Sequence, residues 1–301
     1  MNALQSIGTG LGMALFGWLL QTTISGVTRK VIARIQKRRG PVWYQNFRDI
    51  MKLLNKRSVT HGWAFDFGLL VALAGAIGTA MFMPVAGIVA FKGFDNFFMI
   101  IYLAALGVFG RALSSGSSGN PLATIGVMRG LTQNIGYKVP YMLLVIALIS
   151  YYRTSSISEI VELQRVSGWS VLVMPLGFVV AFISLHGMLG KKPFDTYLAP
   201  AEIASGPLVE YGGKQLGILM IAHELSVFIE VSLFVNLFLG GGATLPEFLL
   251  KYAFIYILSS SLGAVMGRFR IEQVVRFYYK VPIALTIVQI LMLAVMRGGV
   301  R

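Results

Sequence analysis

His223, Glu224 and Glu230 stand within an apolar run, residues 216–239, that is long enough to cross a bilayer. Ionisable side chains are costly in hydrocarbon, so each marks an expected functional position. His223 and Glu230 are seven apart and share one stripe of a helix, with Asn236 extending its polar content, while Glu224 points about 100° away from His223. The chemistry that fits is proton or ion relay, because a carboxylate taken out of water can load and release a proton as its surroundings change. The plainer alternative is a pair of glutamates neutralised by bases on neighbouring helices, purely to fix packing. A second run, 122–151, carries Arg129, Gln133 and Tyr137 at i, i+4 and i+8, with Asn134 and Lys138 beside them. Pro140 is expected to kink that helix and free a backbone carbonyl. A charged Lys138 needs a carboxylate partner, and Glu224 and Glu230 are the two in view. His186 is a further candidate for the same polar axis; Arg111 is expected to snorkel to the interface.

The elements that must position these groups are transmembrane helices. Hydrophobic residues make up 56% of the 301, only 13% are charged, and the mean hydropathy is +0.73. The apolar stretches are continuous rather than alternating, which argues against a membrane β-barrel. Eight spans are predicted, at 7–27, 67–89, 97–113, 122–151, 171–189, 216–239, 248–266 and 281–296. The fold class is therefore an all-α polytopic membrane protein, one integral membrane domain over residues 1–301. Cysteine is absent, so the chain offers no disulfide, thiolate nucleophile or cysteine-held iron–sulfur cluster. Histidines 61, 186 and 223 are scattered and show no metal spacing.

Net charge is +14, and the bases are segregated by loop. The first inter-span loop holds Arg29, Lys30, Arg34, Lys37, Arg38, Arg39, Arg48, Lys52, Lys56 and Arg57. The fifth adds Lys191, Lys192 and Lys214, and the seventh Arg268, Arg270, Arg276 and Lys280. Even loops carry few. The positive-inside rule then places odd loops in the cytoplasm and both termini on the outer face of the cell membrane. Lipid headgroups account for most of these bases. No basic face with interleaved stacking aromatics exists outside the spans, so nucleic acid is not an expected partner.

Within the first loop, Phe47, Ile50, Met51 and Leu54 fall at i, i+3, i+4 and i+7, predicting an amphipathic helix along the interface. That helix serves either as a headgroup anchor or as a platform for a peripheral partner. The stretch 114–120 (SSGSSGN) reads as a flexible connection. The stretch 156–163 (SISEIVEL) reads as a short helix opened by a capping box of Ser156 and Glu159.

Four ordered motifs then carry a resemblance across nearly the whole chain. The segments RKVIARIQKRRGP (29–41) and YQNFRDIMKLL (44–54) resemble the first cytoplasmic loop of the complex I H-subunit family, also called the NADH dehydrogenase subunit 1 family. GVMRGLTQNIGYKVP (126–140), KKPFDTYLAPAEIASGPLVEYGG (191–213) and GRFRIEQVVRFYYKV (267–281) are similar to three further motifs of that family. The compact first loop and the GPLVEYGG stretch lean towards its hydrogenase-related branch, which includes the M subunits of membrane-bound hydrogenase and sulfane reductase complexes. The chain departs from the pattern where Lys138, Met188, Leu198 and Pro200 replace acids, while Glu202 and Glu210 remain.

The resemblance implies a membrane-anchor and coupling subunit of a ferredoxin-oxidising complex, linking electron transfer in a peripheral arm to proton or sodium translocation. It implies iron–sulfur and large hydrogenase-like peripheral subunits and antiporter-like membrane subunits as partners. Any iron–sulfur cluster or nickel–iron centre would then lie in those partners, with no cofactor in this chain and no catalytic residue. Asp195, Glu202 and Glu210 would sense charge in the arm and pass it to Glu224 and Glu230, with His223 and Lys138 in the same relay. Arg34, Arg38, Arg39, Asp49, Arg268, Arg270 and Arg276 would line the docking surface. A structural salt-bridge network is the plainer reading of the loop acids. Two other functions compete: a secondary transporter of an anionic metabolite, for which inverted repeats are expected and not seen, and a membrane enzyme acting on lipid.

Overall fold

The computed structural model describes residues 3–58 and 60–298, with side chains to Met296. In chain order the helices are α1 (Ala3–Ile35), α2 (Gln45–Leu54), α3 (Trp63–Met81), α4 (Phe97–Gly116), α5 (Pro121–Tyr152) and α6 (Ile157–Ser167). Then follow α7 (Ser170–Val173), α8 (Pro175–Met188), α9 (Pro200–Ile203), α10 (Gly213–Phe238), α11 (Leu245–Val265) and α12 (Ile271–Gly298). No strand forms among the described residues beyond two isolated bridges. The all-α polytopic architecture is as expected.

Seven helices among the described residues are long and apolar enough to cross a membrane, against eight predicted spans. The difference lies in the fifth span. Pro175 has no N–H to donate and starts a new helix, so the run divides at Met174 into α7 and α8. At 1.5 Å per residue, α8 is roughly 21 Å long, short of a full hydrocarbon core. The second span is also shorter than predicted, because α3 ends at Met81 rather than 89, while α1, α4, α5 and α12 overrun their predicted spans. α1 continues eight residues further to Ile35 and carries Arg29, Lys30 and Arg34 out of the apolar zone. α12 starts at Ile271, so Arg276 and Lys280 sit on its first turns rather than in a loop.

The odd loops meet at one end of the bundle and the even loops at the other. His61, Asn120 and Glu210 converge from the first, third and fifth loops, and Arg268 of the seventh reaches Asp195 of the fifth. At the opposite end, Asp95 accepts from Ser158 N and Ser156 Oγ at 2.8 and 2.9 Å, and Gln164 Nε2 donates to Asn236 O at 2.8 Å. This is the up-and-down alternation that the charge pattern required.

α10 is the axis of the bundle: every residue from Val231 to Phe238 is buried. α3 and α4 pack backbone to backbone through small residues, the usual device where no hydrophobic drive operates between helices. A Cβ on Gly110 would stand 2.3 Å from Ala72 N, and one on Gly75 would stand 2.6 Å from Gly107 N.

Two loop expectations are corrected. The stretch 114–120 is not a loose connection: Ser114 Oγ donates to Phe65 O at 2.7 Å, Tyr211 Oη donates to Ser114 Oγ at 2.5 Å, and both Ser114 and Ser115 are buried. Their hydroxyls satisfy each other's chains, which composition cannot reveal. The capping box before α6 is half formed. Ser156 Oγ accepts from Glu159 N at 3.5 Å, but the Glu159 carboxylate takes a hydrogen bond from Thr154 instead.

Candidate functional site: a charged cleft beneath a clamped loop

Between α3, α4, α5 and α10 the bundle leaves a cavity of about 320 Å³, roofed by Tyr197, Leu198, Pro207 and Leu208 from the loop after α8. Five His, Glu, Lys and Arg residues line it: Arg111 from α4, Lys138 from α5, and His223, Glu224 and Glu230 from α10. The seven-residue spacing thus does bring His223 and Glu230 to one wall. His223 is exposed, and the space it is exposed to is this cavity. Glu230 lies in the fields of both Arg111 and Lys138, so of the two carboxylates in view for Lys138 it is Glu230 that serves. Arg111 does not snorkel. Its Nη1 donates to Ser226 Oγ at 2.9 Å, one turn beyond His223 on α10.

Glu224, 8% exposed, lines the cavity and also reaches towards α1. Gln21 and Ser25 of α1 are its polar neighbours, with Lys191 and Arg29 the bases acting on it. Tyr252 Oη donates to Gln21 Oε1 at 2.6 Å, and Asn46 Nδ2 donates to Ser25 Oγ at 3.0 Å. Arg29 bonds Asn46 in turn and lies 3.6 Å from Asp49. A polar thread therefore runs from Glu224 through α1 to α2. Accordingly α2 is no simple headgroup anchor: Ile50 and Asn46 are buried against the bundle, and Met51, expected on the apolar stripe, is exposed.

The loop over the cavity is held at each of its acids. Asp195 takes a two-pronged ion pair from Arg268, Nε to Oδ1 and Nη2 to Oδ2, both 2.7 Å; this bond raises the Arg268 pKa above its already high ordinary value. Glu202 pairs with Arg129 of α5 at 2.9 Å. Glu210 Oε2 lies 3.3 Å from His61 Nε2, and its Oε1 accepts from Asn120 at 2.6 Å. Gln133 ties the same loop to α5: its Nε2 donates to Phe194 O at 2.6 Å and its Oε1 accepts from Thr196 Oγ1 at 2.6 Å. The backbone closes tightly here. Ala204, Ser205 and Gly206 take φ of 49°, 73° and 45°, a left-handed run that costs non-glycine residues and persists only where surroundings enforce it. Gly206 lies against Gly126 of α5, where a Cβ would meet Pro207 Cδ at 2.5 Å.

Of the expected docking residues, Arg34, Arg38, Arg39, Arg270 and Arg276 are exposed. Arg268 and Asp49 are engaged within the chain, Arg268 with Asp195 and Asp49 with Gln45 at 2.8 Å. His186 does not reach the polar axis. Its ring bridges Ser259 Oγ and Lys192 O, both 2.7 Å, pinning α8 to α11. Sequence reasoning missed Gln21, Ser25, Ser226 and Thr196. Gln21 was the detectable one, a long amide in the middle of an apolar run. Among the described residues no group of three or more His, Asp and Glu side chains has metal-binding geometry.

Comparison with known proteins places this geometry. The NADH-quinone oxidoreductase H-subunit of Protochlamydia amoebophila (strain UWE25) is 29% identical over 291 residues, covering 88% of this chain and 89% of its own. Hydrogenase-4 component C of Escherichia coli (strain K12) is 31% identical over 276 residues, covering 86% and 87%. A chain in the solved structure of the membrane-bound sulfane sulfur reductase, an archaeal respiratory membrane complex, is 35% identical. It superposes with a TM-score of 0.91 over 95% of this chain and 99% of that one. The model of the family described as NADH dehydrogenase matches residues 10–294, and the chain belongs to that family.

Proposed function

We propose that this chain is the membrane-anchor and coupling subunit of a ferredoxin-oxidising respiratory complex of the sulfane reductase or hydrogenase type. The observation that carries the reading is spatial. Three loop carboxylates, paired with Arg268, Arg129 and His61, pin the loop that roofs a cavity whose walls carry Glu224, Glu230, Lys138, Arg111 and His223. A change of charge in an arm docked on the odd-loop end alters the field on Asp195, Glu202 and Glu210, and their pairing fixes the loop over the cavity. The intramembrane groups respond by exchanging a proton or an ion, since a unit charge in low dielectric acts strongly over several ångströms. The exposed arginines suit the docking role, because a guanidinium pairs two-pronged with carboxylates. In this reading the odd-loop end is cytoplasmic, iron–sulfur and hydrogenase-like subunits dock there, and antiporter-like subunits lie beside the bundle. The redox centres belong to those partners.

A stand-alone carrier of an anionic metabolite is the competing reading. The likeness to respiratory subunits over nearly the whole chain favours the coupling role. Replacing Glu230 by Gln in the complex, and assaying ferredoxin oxidation and ion uptake together in vesicles, tests the proposal. The expected result is a redox reaction that turns over with ion uptake reduced at least tenfold. Undiminished uptake removes Glu230 from the coupling path.

A further inference from the structure

Glu224 feels a base from the roof loop as well as one from α1. Of the two cations whose fields fall on it, Lys191 outweighs Arg29, and the field of Lys191 also reaches His223 and His186. The other charged or titratable groups around Glu224 are His223 and Glu230 on α10 itself, Arg111 and Lys138 on the cavity walls, and Tyr252 of α11. Lys191 lies four residues before Asp195 in the same loop, and its backbone is pinned from several sides. Its carbonyl accepts from Phe194 N at 2.7 Å, the adjoining Lys192 O accepts from the His186 ring at 2.7 Å, and a Cβ on Gly263 of α11 would stand 3.0 Å from Lys191 Cβ. The ammonium is not pinned. Lys191 is half-buried, yet its Nζ makes no hydrogen bond or ion pair among the described residues and rests 5.4 Å from the centroid of the Tyr256 ring. Arg268, Arg129 and His61, by contrast, are each committed to a loop acid. A cation–π contact holds an ammonium far less firmly than a hydrogen-bonded ion pair, and lysine carries its charge on a flexible four-carbon stem.

We propose that Lys191 is a positioning residue for the coupling step: its ammonium, swinging on a fixed backbone pivot between the Tyr256 ring and the odd-loop end, sets whether the Glu224 carboxylate holds a proton. The inference rests on the coupling role proposed above. An electron added in a docked arm attracts the ammonium towards the odd-loop end and away from Glu224. One proton then passes from water, through the cavity, to a Glu224 carboxylate oxygen, and leaves again when the arm is reoxidised and the ammonium returns. The electron stays in the arm. A unit charge in low dielectric acts strongly enough over several ångströms for both steps.

The test is infrared difference spectroscopy of the purified complex, dithionite-reduced minus oxidised. The carbonyl-stretch band of a protonated carboxyl is expected to appear on reduction, and its loss in Glu224→Gln assigns it. In Lys191→Met, Glu224 keeps its proton in both states, so the band should fall at least about fivefold, whereas Lys191→Arg, which keeps the charge, should retain at least about half of it. Lys191→Gln covers the case in which Lys191→Met does not assemble, with the same loss expected. A purely structural role would leave the band in every Lys191 variant that assembles. Absence of any band assignable to Glu224, a full-sized band in Lys191→Met or Lys191→Gln, or a loss in Lys191→Arg as complete as in Lys191→Met overturns the proposal. None of these outcomes decides the ion-uptake assay of Glu230→Gln, and undiminished uptake there leaves the infrared result standing, so the two readings fail separately.

Discussion

Breaking the Asp195–Arg268 pair should release the roof of the cavity while leaving the bundle intact. The two side chains are 13% and 20% exposed, enough enclosed that water screens them weakly, and they share two charge-assisted hydrogen bonds of 2.7 Å. A hydrogen bond to a charged group contributes about 1.5–3 kcal/mol, and removing one partner of a buried pair costs about 3–5 kcal/mol. Partial exposure brings the figure for Asp195→Asn or Arg268→Gln to roughly 2–3 kcal/mol, which is about a 30- to 150-fold rise in local opening. The reporter is built into the fold, since Phe269 N donates to Pro193 O at 3.0 Å across the same two loops. Hydrogen exchange at Phe269 should accelerate by that factor in each single variant. The double variant should add little, because residues that share one interaction show non-additive effects. Effects that multiply in the double variant, or a Phe269 amide indifferent to all three, would refute the claim that this pair holds the roof.

Gly110→Ala would place a methyl 2.3 Å from Ala72 N, against backbone that cannot yield. Over-packing of this kind costs about 1–3 kcal/mol and should lower the thermal midpoint of the complex, whereas Gly78→Ala, with open space around it, should leave it unchanged. Gln133→Leu deletes the bonds to Phe194 O and Thr196 Oγ1; exchange at peptides spanning 194–196 should rise at least about tenfold, on the order of 1–3 kcal/mol for an unsatisfied buried pair. Lys251→Met removes a cation that donates to Leu239 O and Gly241 O and sits 4.4 Å over the Trp169 ring. Faster proteolysis of the 239–244 turn is the expected outcome, and unchanged cleavage would show that these carbonyls find other donors.

What the sequence made legible were features that depend on composition and local period. Apolar run length marked all the long helices, and segregation of bases by loop parity sorted the loops into two sets that the fold does gather at opposite ends. The stripe of His223 and Glu230 was readable because it needs only 100° per residue. What escaped depended on partners distant in sequence. Arg111 was assigned to the interface because its position in the run permits snorkelling; the space beside Ser226, 115 residues away, is set by tertiary packing. The serines of 114–120 look like linker residues until Phe65 and Tyr211 arrive beside them. Met174, not a deletion of hydrophobicity, divides the fifth span, because the break is imposed by the missing N–H of the proline that follows.

α10 carries two carboxylates with different neighbours. Both line the cavity, but Glu224 also joins the thread through α1 to α2, whereas Glu230 lies in the fields of Arg111 of α4 and Lys138 of α5. They are six residues apart, about 9 Å along the axis and roughly 12 Å through space once their different directions are counted. At an effective dielectric of about 20, two unit charges at that distance interact by roughly 1.4 kcal/mol, a tenfold bias in a protonation equilibrium. That is large enough to couple the two carboxylates and small enough to leave each able to titrate by itself. A rigid α10 transmits this bias without moving. The buried stretch from Val231 to Phe238, which anchors the helix immediately beyond Glu230, makes a fixed axis the expected state, so communication between the α2 surface and the cavity is carried by charge rather than by helix displacement.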